Sequence, residues 1–230
     1  MQKKIPTGIY GLDKMLNGGL VKGRTYLIKG GPGTGKTILS MQFLINGSLN
    51  NEKTLYITLE ESIEEVKENM NVFGFDLSNI KLVDASPTGN RSIYGDLFLS
   101  FDIDVQGFKT MLENEFEKEK PDRLVIDSIT MLRVSTGSET EYRRDLLALI
   151  GLLKRYDVTA LLTSEISKDC CIEDYLVSGV IELHTMNVKG RMMRGIRILK
   201  MRGSDFDDTM RPYRITSRGL EVYSDLSLFE

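Results

Sequence analysis

The sequence predicts an α/β fold, a mostly parallel central sheet flanked by helices, with an antiparallel hairpin region toward the C-terminus. Three observations carry this. Strand-like and helix-like segments alternate along most of the chain, the pattern of a parallel sheet covered by helices. Leu124-Val125-Ile126 is apolar throughout, as a strand buried on both faces requires. From Gly179 onward the helical spacing stops, and β-prone runs separated by turns take over.

The elements follow in order. Thr25-Tyr26-Leu27-Ile28 reads as a strand entering a glycine-rich loop, and Lys36 to Leu49 as the helix after it. Thr54 to Leu59 is the next strand, ending at Glu60-Glu61. A helix opens at Ser62 with Glu65 three positions on, a capping-box pattern. Ile63, Val66, Met70 and Phe73 share its apolar face, and Gly74 stops it. Ile80 to Val83 is a short strand. Val105, Phe108, Leu112 and Phe116 line one side of a helix ending before Pro121. After the strand at Leu124, Ser138 and Glu141 cap a helix whose core face includes Tyr142, Leu146, Leu149 and Leu153. Thr159 to Thr163 is a fifth strand. Val180 to Met186 and Ile196 to Met201 read as strands joined around Val188-Lys189-Gly190, and Tyr213 to Asp225 as a hairpin turning near Gly219. Pro87, Gly89 and Gly95 place a loop within 86–104. No long linker or repeat divides the 230 residues, so one domain spanning 1–230 is expected.

Bulk properties exclude several classes. A net charge of -3 does not favour a globally basic nucleic-acid binder. Cys170 and Cys171 are neighbours without a further cysteine, which excludes a disulfide scaffold and favours a reducing compartment. With His184 the sole histidine, no zinc cluster of the usual spacing can be drawn. No apolar run is long enough to cross a membrane, and the N-terminus has no hydrophobic signal core. A soluble cytoplasmic protein is expected.

Gly30-Gly31-Pro32-Gly33-Thr34-Gly35-Lys36-Thr37 matches G-x-x-x-x-G-K-[ST] in full, between a strand and a helix. Glycines let successive backbone N–H groups curl toward a polyphosphate, and the helix turns its positive end to the same anion. Lys36 reaches the β- and γ-phosphates, and the Thr37 hydroxyl ligates Mg2+. Asp127, just past the apolar strand, stands in the Walker B position and orients that metal, directly or through water. Glu60 and Glu61 end a strand beside the loop. A carboxylate there can activate water, or can simply sit solvated at a helix N-terminus. Thr163-Ser164-Glu165 offers a hydroxyl to the γ-phosphate or a plain polar strand end. Lys189, Arg191, Arg194, Arg197, Lys200 and Arg202 form an uninterrupted basic stretch. It fits a solvated strand face, a nucleic-acid contact, or cations reaching a neighbouring subunit's γ-phosphate.

The chain resembles the RecA-superfamily P-loop ATPases, specifically the KaiC-like branch. Beside the phosphate loop, Thr7-Gly8-Ile9-Tyr10-Gly11-Leu12-Asp13, Gly18-Gly19-Leu20, Tyr56-Ile57-Thr58-Leu59-Glu60-Glu61-Ser62, Phe73-Gly74-Phe75-Asp76-Leu77, Leu124-Val125-Ile126-Asp127-Ser128 and Lys200-Met201-Arg202-Gly203-Ser204 carry the likeness. The resemblance implies ATP as nucleotide, Glu60 and Glu61 as the catalytic pair with Glu60 the base, and Lys200 and Arg202 acting across a subunit interface. That implies a homo-oligomer, a hexameric ring with ATP between protomers. It departs from clock KaiC in having one such domain instead of two, and no adjacent Ser-Thr pair near Asp174-Tyr175, so an autokinase is not expected. A base-stacking arginine near His184 does not carry over. A regulatory ATPase with a protein partner is the leading expectation. A recombinase-like DNA-binding ATPase is disfavoured by the six residues before Thr7. A nucleotide-gated scaffold with little turnover leaves the acidic pair unexplained. No Asn-Lys-x-Asp segment reads guanine.

Overall fold

The computed structural model describes residues 2–86, 105–166, 171–188 and 190–229. The loop expected within 86–104, Lys189 and Cys170 therefore lie outside the described residues, Ser86 excepted. In chain order the elements are β1 (Lys4–Ile5), α1 (Tyr10–Met15), β2 (Leu20–Val21), β3 (Thr25–Gly30), α2 (Lys36–Leu49), β4 (Thr54–Thr58), α3 (Ile63–Asn71), β5 (Lys81–Asp84) and α4 (Val105–Lys118). There follow β6 (Arg123–Asp127), α5 (Thr130–Val134), α6 (Glu139–Arg155), β7 (Thr159–Ser164), α7 (Ile172–Leu176), β8 (Gly179–Val188), β9 (Arg191–Met201), β10 (Arg211–Thr216) and β11 (Gly219–Val222).

Among the described residues, nine strands form one sheet in the order β11-β10-β9-β8-β3-β7-β6-β4-β5. From β8 to β5 the pairings are parallel. The last strands, β8 to β11, pair antiparallel, the hairpin region that the turns predicted. Every residue of β3, β4, β6 and β7 is buried, which is why their inner residues read as apolar or β-branched runs, while Lys29, Arg123 and Asp127 near the strand ends are buried with hydrogen-bond partners.

Side chains alternate between two cores, as strand geometry dictates. Tyr26, Ile28, Tyr56, Val125 and Leu161 pack with Leu39, Phe43 and Leu44 of α2 and with Val66 and Met70 of α3. Leu27, Leu55, Ile57, Leu124, Ile126 and Leu162 pack with Phe108 and Leu112 of α4 and with Leu146 and Leu149 of α6. The α3 capping box forms in both directions between Ser62 and Glu65. At α6, Ser138 caps the Glu141 backbone. Two details differ from the sequence expectation. β9 starts at Arg191, before Ile196, because its basic outer half lies exposed and still pairs with β8 down to Val188↔Arg191. The two-stranded β1–β2 sheet and the helices α1, α5 and α7 are too short to show a period.

Candidate nucleotide and metal site

The parallel strands end at one edge, and the candidate residues collect there. The loop from Gly30 to α2 leaves the C-terminal end of β3, Glu60 and Glu61 follow β4, and Asp127 ends β6. Ligands of open α/β sheets bind beyond the carboxyl ends of such strands. A cavity of about 350 Å3 lies there, lined by Gly33, Lys36, Thr37, Glu60, Glu61 and Asp127, with Tyr56, Glu165 and Ile215 in its wall.

Backbone conformation explains the glycines. Gly33 and Gly35 have φ of +70° and +93°, values that favour glycine. A Cβ on Gly30 would stand 2.3 Å from Thr34 Oγ1, whereas Gly31 and Gly33 face open space, room for an anion to reach the backbone. Thr34 Oγ1 donates to the Gly31 carbonyl at 2.7 Å, and Tyr213 of β10 donates to the Thr34 carbonyl at 2.7 Å, tying the loop to the C-terminal hairpin. Lys36 Nζ donates to the Gly30 and Gly31 carbonyls at 2.9 and 3.3 Å, folded back over its own loop.

Asp127 is the hub. Thr37 Oγ1 donates to its Oδ2 at 2.8 Å, Tyr56 Oη to the same oxygen at 2.9 Å, and Thr163 Oγ1 to Oδ1. Burial, then the Asp127 charge, push the Tyr56 phenol well above its ordinary pKa, so it stays a donor. Ser128 Oγ donates to Glu60 Oε1 at 2.7 Å. The Glu61 carboxyl is raised above the usual carboxylate range, first by desolvation and then by the Asp127 charge, with the Asn69 amide opposing. A hydroxyl and a carboxylate 2.8 Å apart, beside open glycine backbone, are the hard oxygen donors that Mg2+ takes with a triphosphate. The site residues thus fit the metal and nucleotide that the motif implies.

Lys200 and Arg202 are not in this cavity. Lys200 pairs across from Val180, which pairs with Leu27, so it lies three residues below Gly30, about 10 Å along the sheet. Lys200 Nζ donates to the carbonyls of Asp174 and Val177, the latter at 2.8 Å, and Arg202 Nη2 to that of Tyr175 at 2.7 Å. Both cations cover the C-terminal end of α7. Desolvation, then Arg202, lower the Lys200 pKa. Sequence reasoning did not single out Tyr56 or Tyr213 as site residues. Each was legible only as a core tyrosine, since a hydroxyl's partner comes from another strand. Thr163 turns its hydroxyl onto Asp127.

The chain matches the family model described as "ATPase: KaiC" over residues 5–227. It is 33% identical over 240 residues to a UPF0273 protein of Thermotoga maritima, covering 97% of each chain. It is 33% identical to the circadian clock oscillator protein KaiC of a Nostoc species, covering 96% of this chain and 44% of that longer protein. A crystal structure of a KaiC-like protein from Pyrococcus horikoshii OT3 superposes with a TM-score of 0.83 at 29% identity, covering 97% of this chain and 100% of that one. No described helix is long and apolar enough to cross a membrane.

Proposed function

The chain belongs to the KaiC ATPase family, and from that premise we propose that it binds ATP with Mg2+ in the cavity over Gly31–Thr37 and hydrolyses the γ-phosphate, within a ring that puts each site at a subunit interface. The observation that carries the reading is the Thr37–Asp127 contact of 2.8 Å inside a cavity also lined by Lys36 and Glu60. Loop amides and Lys36 bind the phosphates, Lys36 leaving its carbonyl partners for them. Thr37 and Asp127 would hold Mg2+, directly or through water, and the ion would supply charge neutralisation for the phosphates. Glu60, steadied by Ser128, takes a proton from the attacking water. Glu61 lines the same wall. Ile215 borders both this cavity and a groove of about 830 Å3 lined by Arg194, Tyr213 and Arg214, where the nucleoside end extends.

In this reading Lys200 and Arg202 serve the neighbour's triphosphate, and nucleotide state alters subunit packing for a regulatory partner. One domain spanning 1–230 in a cytoplasmic, hexameric assembly completes it. Glu60→Gln tests the base: turnover drops by about 10²–10⁴, with nucleotide affinity retained. Turnover equal to the parent's ends the assignment.

A further inference from the structure

β4 lies between β6 and the edge strand β5, and all five of its residues are buried. Packing there asks only for apolar bulk, and a phenylalanine would supply the ring that Tyr56 contributes to the core around Tyr26, Val125 and Leu161. The hydroxyl is surplus to that task. A buried hydroxyl costs free energy unless it is bonded, and this one is spent on the Asp127 carboxylate.

The carboxylate's capacity can be counted. Two oxygens offer about four lone-pair directions. Thr37 and Tyr56 occupy both on Oδ2, and Thr163 takes one on Oδ1. Donors on both oxygens also stop the carboxylate from rotating about its Cβ–Cγ bond. Among the described residues, one direction, on Oδ1, is left uncommitted. We propose that Tyr56 is a positioning residue of the nucleotide site: with Thr163 it locks Asp127 so that a single lone pair meets the metal's hydration shell, and so sets how strongly Mg2+ and nucleotide binding reinforce each other. The assignment rests on the phosphate-loop reading. It differs from that reading in giving a role to a side chain outside the motif.

The test is equilibrium binding of a non-hydrolysable ATP analogue by calorimetry, with Mg2+ and with chelator, for the parent, Tyr56→Phe, Asp127→Asn and the double variant. Thermal unfolding checks that Tyr56→Phe is folded. The ratio of the two affinities measures the coupling. In Tyr56→Phe the metal-free affinity stays within about twofold, because the loop amides are untouched, while the coupling ratio falls at least about tenfold, the loss of a hydrogen bond to a charged group. In the Asp127→Asn background the tyrosine substitution has no further effect on the ratio. The proposal is overturned if Tyr56→Phe keeps the parent's ratio, or if it weakens both affinities equally, as a purely structural residue would. A parent that takes up no analogue removes the phosphate-loop premise as well, and so is told apart from failure of the tyrosine assignment alone.

Discussion

Subunit mixing tests whether Lys200 and Arg202 act on a neighbour. Geometry makes action in cis unworkable. Lys200 lies about 10 Å below Gly30 along the sheet, and β9 is two strands removed from β3, about another 10 Å across. Its ammonium is turned onto α7 carbonyls on the way. Two variants are prepared, Glu60→Gln with intact cations, and Lys200→Ala/Arg202→Ala with an intact cavity. Each alone is expected to hydrolyse ATP at a small fraction of the parent rate, since a cation on the transferring phosphoryl group contributes about 10³-fold or more. Mixed at equal ratio and reassembled, a productive interface needs an intact Glu60 on one side and intact cations on the other. Random assembly supplies that at one interface in about four, so phosphate release recovers to about a quarter of the parent's. A mixture no more active than its components, with subunit exchange verified by mass, would refute the argument.

Two further outcomes concern stability. Glu182, bonded by His184 and Arg197, has its pKa lowered to about 2 from 4.5. A lowered folded-state pKa stabilises above the unfolded value and loses that contribution as pH falls through about 2. The shift corresponds to roughly 3 kcal/mol, so urea unfolding should show Glu182→Gln less stable than the parent by up to that amount at pH 7, with the gap narrowing between about pH 5 and 2. Arg123 is 1% exposed, bonds Glu52 and the carbonyls of Pro6 and Phe43, and lies 4.7 Å from the Phe43 ring centroid. Arg123→Ala leaves these acceptors unpaired and is expected to cost about 3 kcal/mol or more, read from the urea midpoint, while nucleotide affinity per folded molecule is kept.

Legibility divided along physical lines. Elements with local signatures were readable. The span of α2 follows from Gly35 and the helical run after it, and the α3 start from Ser62 and Glu65 answering each other within one turn. The phosphate loop was readable because its chemistry is compressed into eight consecutive residues. Short elements were not, since α5 and α7 span five residues each and show no period. Neither were contacts between strands. Nothing local to Tyr56 says that its hydroxyl meets Asp127, and nothing local to Tyr213 says that the C-terminal hairpin folds back to hold Thr34. The resemblance marked Lys200 and Arg202 as a cation pair, but only the β8–β9 register sets Lys200 about 10 Å below the loop along the sheet, where a role in cis is unworkable.

The most direct measurement is calorimetric titration of ATP with Mg2+ into the parent and Lys36→Ala proteins. The account predicts saturable uptake by the parent, one nucleotide per subunit, and loss of affinity by about tenfold or more in Lys36→Ala, whose loop keeps its amides and gives up its cation. Equal binding by the two proteins, or none by either, would contradict it.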